Sequence, residues 1–442
     1  MLLSLLACLP LVGVPAERAE HVFVFIKSGS ERPDSEAEAE LMRGHFANME
    51  RLAGLGHLSI AGPFGEPKLD AEDRGLWIFS GDDMEAVRPL AESDPCVESD
   101  VFQLELVPFA TDWPLDVLPA LTEIARLETN KEAGVRSYVL AFRTATAVDL
   151  GPAIDAGAVL FEGRFGGARA GTQVVALNAE SLDDARKLLA RHELGVEGWQ
   201  LRPWWSSVLL TDLPRLRTKS KLRAIAPPGE RSEAFGIPVA AAPGVDRTVV
   251  DHVATVLTEI LDGDEDGRPD NPRVALALRA SGARLFLGPD DAEPPRALFV
   301  RRLDPSDVHP DGLPFSPAAR SYDDSITAVF ELLAFGYGLA YPGLFGVGEA
   351  TSRLADAEAQ VAGKTWNPAE DLDRATRLRR YFAWGQSSRL GCQASPTRID
   401  QIDERWKLAT PTLLEAGNPK LWALLAVPRL ALPTLPPDGR YR

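Results

Sequence analysis

Among the 442 residues of this chain, His45 and Asp94 have the side chains needed for proton transfer. An unperturbed imidazole titrates close to neutral pH. A carboxylate on one ring nitrogen fixes the tautomer and stabilises the cation formed when the other nitrogen takes a proton. With no metal and no nucleophile beside them, the reaction class that suits this pair is isomerisation or elimination on a small polar organic molecule. Spacing alone does not bring the two residues together. Each also has a structural alternative: His45 can cap or pack a helix, and Asp94 can simply open an Asp-Pro turn with Pro95.

A second group is the run Asp262-Gly263-Asp264-Glu265-Asp266-Gly267-Arg268-Pro269-Asp270. Carboxylates at loop positions one, three, five and nine, with glycine at six, have the spacing of an EF-hand calcium loop. Asp262, Asp264 and Asp266 would be direct ligands, Arg268 would supply its carbonyl, and Asp270 would bind directly or through water. Two positions depart from the pattern. Arg273 stands where a bidentate Glu belongs, and Pro269 stands where a β-branched residue is usual, so affinity should suffer. The competing reading is an acidic, well-capped turn without metal. A calcium ion here would clip two helices together and take no part in catalysis. No organic cofactor is implied.

Other motifs carry less. Phe330-Glu331-Leu332-Leu333-Ala334 lacks both histidines of a zinc-peptidase helix, and the six histidines show no ligand spacing. The stretch Phe335 to Gly343 lacks the third glycine of a dinucleotide fingerprint and reads as a helix end and a turn. There is no G-x-S-x-G elbow. Trp199, Trp204 and Trp205 read as interface core before they read as a contact surface.

The elements around these residues form a pattern written twice, over 21–108 and 136–208. The first copy runs from HVFVFIKS through a helix around Gly44 to Leu52, then LSIAGPFGEP, RGLWIFS, a second helix and Asp94-Pro95. The second copy runs from RSYVLAFRT through AVLFEGRFGG, TQVVALNA and the helix SLDDARKLLARHE to VEGWQLRPWWSS. Both have the order strand, helix, strand, strand, helix, strand, which is ferredoxin-like. The fold class expected is α+β: tandem ferredoxin-like units followed by a mainly helical domain.

Residues on this pattern resemble the YciI-like (YCII-related) family. The resemblance rests on His45 near the start of the first helix, the turn Ala61-Gly62-Pro63-Phe64, and Asp94-Pro95 after the second helix. It implies that two units pack as a dimeric α/β barrel, here within one chain, with a His and an Asp at these positions as the proposed active-site residues. Gly62, Pro63 and Phe64 would line the pocket beside them or merely make the turn. The second copy has a shortened first helix and matches neither His45 nor Asp94-Pro95, so chemistry is expected in copy one. The ending LWALLAVPRLALPTLPPDGRYR, with WKLATPTLL, resembles an uncharacterised domain of exported proteins and brings no chemistry with it.

The domain plan expected is a signal peptide over 1–16, YciI-like units over 20–110 and 133–208, a linker over 209–245 and a helical domain over 246–442. In the connection between the units, Leu115, Leu118, Leu121, Ile124 and Leu127 recur at nearly helical spacing. The N-terminus MLLSLLACLPLVGVPA reads as an export signal cleaved after Ala16, with a competing lipid-anchor site at Cys8. The expected location is periplasmic, envelope-associated or secreted, with no transmembrane span once the signal is removed. The other cysteines, Cys96 and Cys392, fall in different domains and do not make a disulfide framework. A content of 45% hydrophobic and 25% charged residues suits globular domains, and a net charge of −17 opposes nucleic acid as a partner. The leading function is therefore small-molecule acid–base chemistry at His45 and Asp94. The alternative is a noncatalytic, calcium-stabilised binding or scaffold protein of the cell envelope.

Overall fold

The computed structural model describes residues 21–81, 83–129, 133–144, 148–214, 216, 233–294, 297–308, 315–316, 321–322, 324–348, 351–369 and 371–442. The export signal and Cys8 lie outside these residues. Among the described residues, no helix is long and apolar enough to cross a membrane.

The first half consists of β1 (His21–Ser28), α1 (Ser35–Gly54), β2 (Leu58–Pro63), β3 (Asp73–Ser80), α2 (Met84–Glu92), the single turn α3 (Pro95–Glu98) and β4 (Phe102–Ala110). A short 3-10 turn and α4 (Leu118–Thr129) connect it to the second half. That half consists of β5 (Val135–Thr144), α5 (Gly151–Asp155), β6 (Val159–Phe165), β7 (Thr172–Leu177), α6 (Leu182–Arg191) and β8 (Gln200–Ser207). The eight strands make one antiparallel sheet in the order β2-β3-β1-β4-β6-β7-β5-β8. Within each half the order is second, third, first, fourth.

This sheet curls until β2 and β8 nearly meet. The two places where the halves touch are built alike. At one, Phe64 bridges to Trp204, the Gly65 N–H donates to the Pro203 carbonyl at 2.8 Å, and the Ser206 hydroxyl donates to the Ala61 carbonyl at 3.1 Å. At the other, Phe165 pairs with Phe109, the Gly166 N–H donates to the Pro108 carbonyl at 2.8 Å, and the Thr111 hydroxyl donates to the Glu162 carbonyl at 2.5 Å. Each seam also has a glycine with no room for a side chain. A Cβ on Gly62 would stand 1.8 Å from the Trp205 carbonyl oxygen, and one on Gly163 would stand 2.6 Å from that of Ala110.

Strand alternation explains how both faces of the sheet are filled. In β1, Phe23 and Phe25 point inward, where they pack with Phe109, Phe142 and Phe165 at ring separations of 4.8 to 6.2 Å. Val22, Val24 and Ile26 point outward and bury against Leu52 of α1 and Val87 and Ala91 of α2. Arg202 enters this aromatic interior, paired with Asp73 at 2.5 Å and lying over Phe25, Phe64 and Phe142. The interior of the curled sheet is thus a packed aromatic core.

Past the sheet, the chain forms β9 (Glu233–Ala234), β10 (Ile237–Ala241), α7 (Arg247–Leu261), α8 (Pro272–Ser281), β11 (Arg284–Leu287) and β12 (Val300–Leu303). A two-residue strand pair precedes the long helix α9 (Asp324–Ala340), and shorter helices follow to Leu425. The segment 209–245, expected to be a linker, therefore contains strands: β10 pairs with β9 and, in parallel, with β11 in a four-stranded sheet. Its many Pro and Ala residues hid the period-two signal. The stretch Phe335 to Gly343 is the end of α9 and the following turn, as expected, and Gly336 lets that helix lie close to Leu278. Cys96 and Cys392 are both buried free thiols.

Candidate functional site

Asp34 caps the N-terminus of α1 by accepting from Glu36 and Ala37, which starts the helix so that His45, Asn48 and Arg51 fall on one face at three-residue intervals. That face meets Ser93 and Asp94. The His45 Nδ1 lies 3.0 Å from Asp94 Oδ2, which also accepts from Asn48 Nδ2 at 3.3 Å. The other carboxylate oxygen accepts from the Cys96 N–H at 3.0 Å, capping α3, where Pro95 occupies the first turn. Asn48 is held in turn by Arg51, whose Nη2 donates to its side-chain oxygen at 2.7 Å and to Ser93 Oγ at 3.1 Å. Asp94 is fully buried, and both of its carboxylate oxygens accept hydrogen bonds.

The His45 ring stacks on Trp77 with centroids 5.6 Å apart and has the edges of Phe46 and Phe102 at 5.4 Å. Because Asp94 can only accept, the proton of a neutral ring sits on Nδ1 and Nε2 is left as the base. Among the described residues Nε2 has no protein partner, and His45 lines an open cleft of about 1780 Å³. Cys96 is close enough for its sulfur, the His45 ring and the Asp94 carboxylate to lie within 4.8 Å of one another. Burial, then Asp94 and Glu38, push its thiol up to about 11, so it stays protonated at neutral pH. With both Asp94 oxygens already accepting hydrogen bonds, the trio is a hydrogen-bonded His–Asp pair beside a protonated thiol.

Gly62 and Pro63 line the same cleft, with Met49, Arg51 and Trp77. Phe64, expected to line it with them, is instead buried in the barrel interior at the β2–β8 seam, with Arg202 over its ring. Alternation along the strand puts it on the opposite side of the sheet from Trp77. Phe46, Leu127, Val135 and Trp205 belong to the few large apolar side chains left exposed, and all four line this cleft. Trp205 thus faces outward, while Trp204 is core. Sequence reasoning missed Asn48 and Arg51, although their helical spacing from His45 carried the signal.

In the acidic loop, ligand atoms of Asp262, Asp264 and Asp270 lie within 4.8 Å of one another. Asp262 accepts from the Gly267 N–H at 2.9 Å and from the Tyr441 hydroxyl, and Asp270 accepts from the Gly263 N–H at 2.9 Å. Burial pushes both carboxyls up, and the neighbouring Asp264 and Asp266 add to the effect at Asp270. Asp266 is turned aside to the Arg268 N–H at 2.8 Å, outside that trio. Arg273, at the twelfth loop position, is buried and points away to the Gly56 carbonyl.

A curled antiparallel α+β sheet, with a His–Asp pair joining its outer helix α1 to the turn before α3, defines the class of protein. Within it, residues 23–110 match the family model of the YCII-related domain, so the first half carries such a domain. No curated protein and no solved structure matches the chain.

Proposed function

We propose that His45 is a general base and acid for a lyase or isomerase reaction on a small organic molecule, with Asp94 positioning it. The observation that carries this reading is the 3.0 Å contact between His45 Nδ1 and Asp94 Oδ2, which leaves Nε2 at the wall of a cleft. Nε2 takes a proton from the substrate, Asp94 offsets the charge of the imidazolium, and the same nitrogen returns the proton to a neighbouring carbon or to a departing hydroxyl. Asn48 and the Cys96 amide keep Asp94 in its acceptor orientation. The exposed Phe46 and Trp205 suit an apolar body on the substrate, and Arg51 suits a polar end. A panel of small 2-oxo and 3-hydroxy acids followed by proton NMR in deuterated water tests the reading. Deuterium exchange or loss of water should fall by about 10²- to 10⁴-fold in His45→Ala. Turnover that His45→Ala leaves untouched overturns the assignment.

This reading includes two ferredoxin-like units forming a dimeric-type α/β barrel within one chain. The matched seams support it: Gly62, Phe64, Gly65, Pro203 and Ser206 have counterparts in Gly163, Phe165, Gly166, Pro108 and Thr111.

The gathered carboxylates of Asp262, Asp264 and Asp270 favour a second reading, a noncatalytic binding or scaffold protein stabilised by calcium. Those three would hold the ion between α7 and α8, and Asp266 and Arg268 would join only if the loop turns them inward. Calcium at ten times its Kd should raise stability by about 1.4 kcal/mol, and Asp264→Asn should remove most of that gain. Because burial holds Asp262 and Asp270 protonated to higher pH than usual, the gain should grow as pH rises through the acid range. A calcium-independent melting temperature would end this reading.

A further inference from the structure

A second cationic locus lies where the turn after α1 meets the C-terminal region. Arg273, near the start of α8, is buried with its guanidinium 4.8 Å from the Tyr341 ring centroid. Its Nη1 donates to the Gly56 carbonyl at 3.1 Å, while Nε and Nη2 have no hydrogen-bond partner. Those two N–H groups share one edge of the guanidinium, the edge that grips two oxygens of one anion. Arg169 uses the same edge on Glu105 in this molecule, at 2.7 and 2.8 Å. A buried fork of this kind without an acceptor is rare in folded proteins and points to a missing partner.

The surroundings specify the charge of that partner. Arg429, exposed to solvent, donates from Nη1 to the Leu55 carbonyl at 3.1 Å, one residue before the carbonyl that Arg273 uses. His57 follows in the same turn, and burial, then the charges of Arg429, Arg273, Arg51 and Arg353, lower it to about 4. Asp116 is the carboxylate whose field reaches Arg273. Two guanidinium groups thus hold neighbouring carbonyls of one turn, and two more act on its His57 through their charge, in a chain whose net charge is −17.

We propose that Arg273 and Arg429 hold a phosphate group, free or as a monoester, against the Leu55 to His57 turn. A phosphate carries about 1.5 to 2 negative charges at neutral pH and three acceptor oxygens, so it fills the fork and still offsets a second arginine. A carboxylate fills the fork alone. Arg429 and Arg353 are exposed, so a ligand held by them can be reached from solvent. Nothing in this inference depends on His45.

Titration calorimetry of the full chain with inorganic phosphate, at ionic strength matched with chloride, tests it. A saturable single site is expected, and Arg429→Gln should weaken it by about tenfold. Arg273→Lys keeps the charge but loses the fork and should weaken it at least as much. If that variant does not fold, Arg429→Gln decides. Bound phosphate should also raise the NMR titration midpoint of His57. Methyl phosphate binding as well as inorganic phosphate assigns the site to monoesters, and inorganic phosphate binding alone assigns it to the free ion. No saturable heat, or an affinity that Arg429→Gln leaves unchanged, overturns the proposal.

Discussion

At one seam of the sheet Gly62 lies under the Trp205 carbonyl, and at the other Gly163 lies under that of Ala110, each followed by a phenylalanine that turns into the barrel. Outside the sheet the halves part company. The first carries the twenty-residue α1, which brings His45, Asn48 and Arg51 to Asp94; the second has the five-residue α5 at the same point in its order. Closure of the sheet needs both halves to keep their seam residues, because each seam joins strands from both. The His45–Asp94 pair draws on one half only. One half could therefore lose its long helix without opening the barrel.

The largest expected effect is at the seams. Gly62→Ala should cost about 4 kcal/mol in urea unfolding, since backbone has to move, and Gly163→Ala somewhat less, because the Phe109 ring can yield part of the space. Equal and small costs would show that closure does not depend on these contacts. Next, Asp94→Ala should destabilise by about 3 kcal/mol, combining a lost helix cap with the orphaned Asn48 and His45 groups. The equivalent region of the second half has no such buried acid to remove.

A smaller effect separates the halves by pH. The unfolded chain protonates His57 near its usual 6.5, and the folded chain only near 4. Between those values the unfolded state binds more protons, so this contribution is complete above 6.5 and is lost as pH falls through 4. Urea midpoints should decline over that window, and His57→Gln should flatten the decline; an unchanged slope would place the charge crowding elsewhere. The smallest effects are Ser206→Ala, about 1 kcal/mol for one hydrogen bond, and Thr111→Ala, about 2 kcal/mol because its hydroxyl donates to Glu162 and accepts from the Trp113 N–H; lying at separate seams, the two should add. Equal costs would show that the Trp113 contact adds nothing to its seam.

Much of this arrangement was legible in the sequence. The order of strands and helices in both halves follows from alternation and periodicity, and the shortened helix of the second half was visible as missing residues. The meeting of His45 with Asp94 was not, because no local pattern encodes a contact between α1 and the turn before α3; the family resemblance supplied it. Gly62 and Pro63 do line the cleft, whereas Phe64 turns into the barrel, because its seam partner Trp204 lies far along the chain where no local pattern shows it. The use of Arg273 was hidden for a related reason. Its place in an acidic loop suggested a failed metal ligand, whereas its side chain serves the turn after α1.

The segment from Thr111 through α4 to Gly134 ties the two halves into one molecule. A tether of this length keeps each half at an effective concentration of order millimolar for the other, whatever the dilution. Pairing across the seams then needs no mutual affinity strong enough to survive in dilute solution. Separate subunits with one sequence must also change together, while a covalent pair lets each member vary alone, which frees one face of the barrel to specialise.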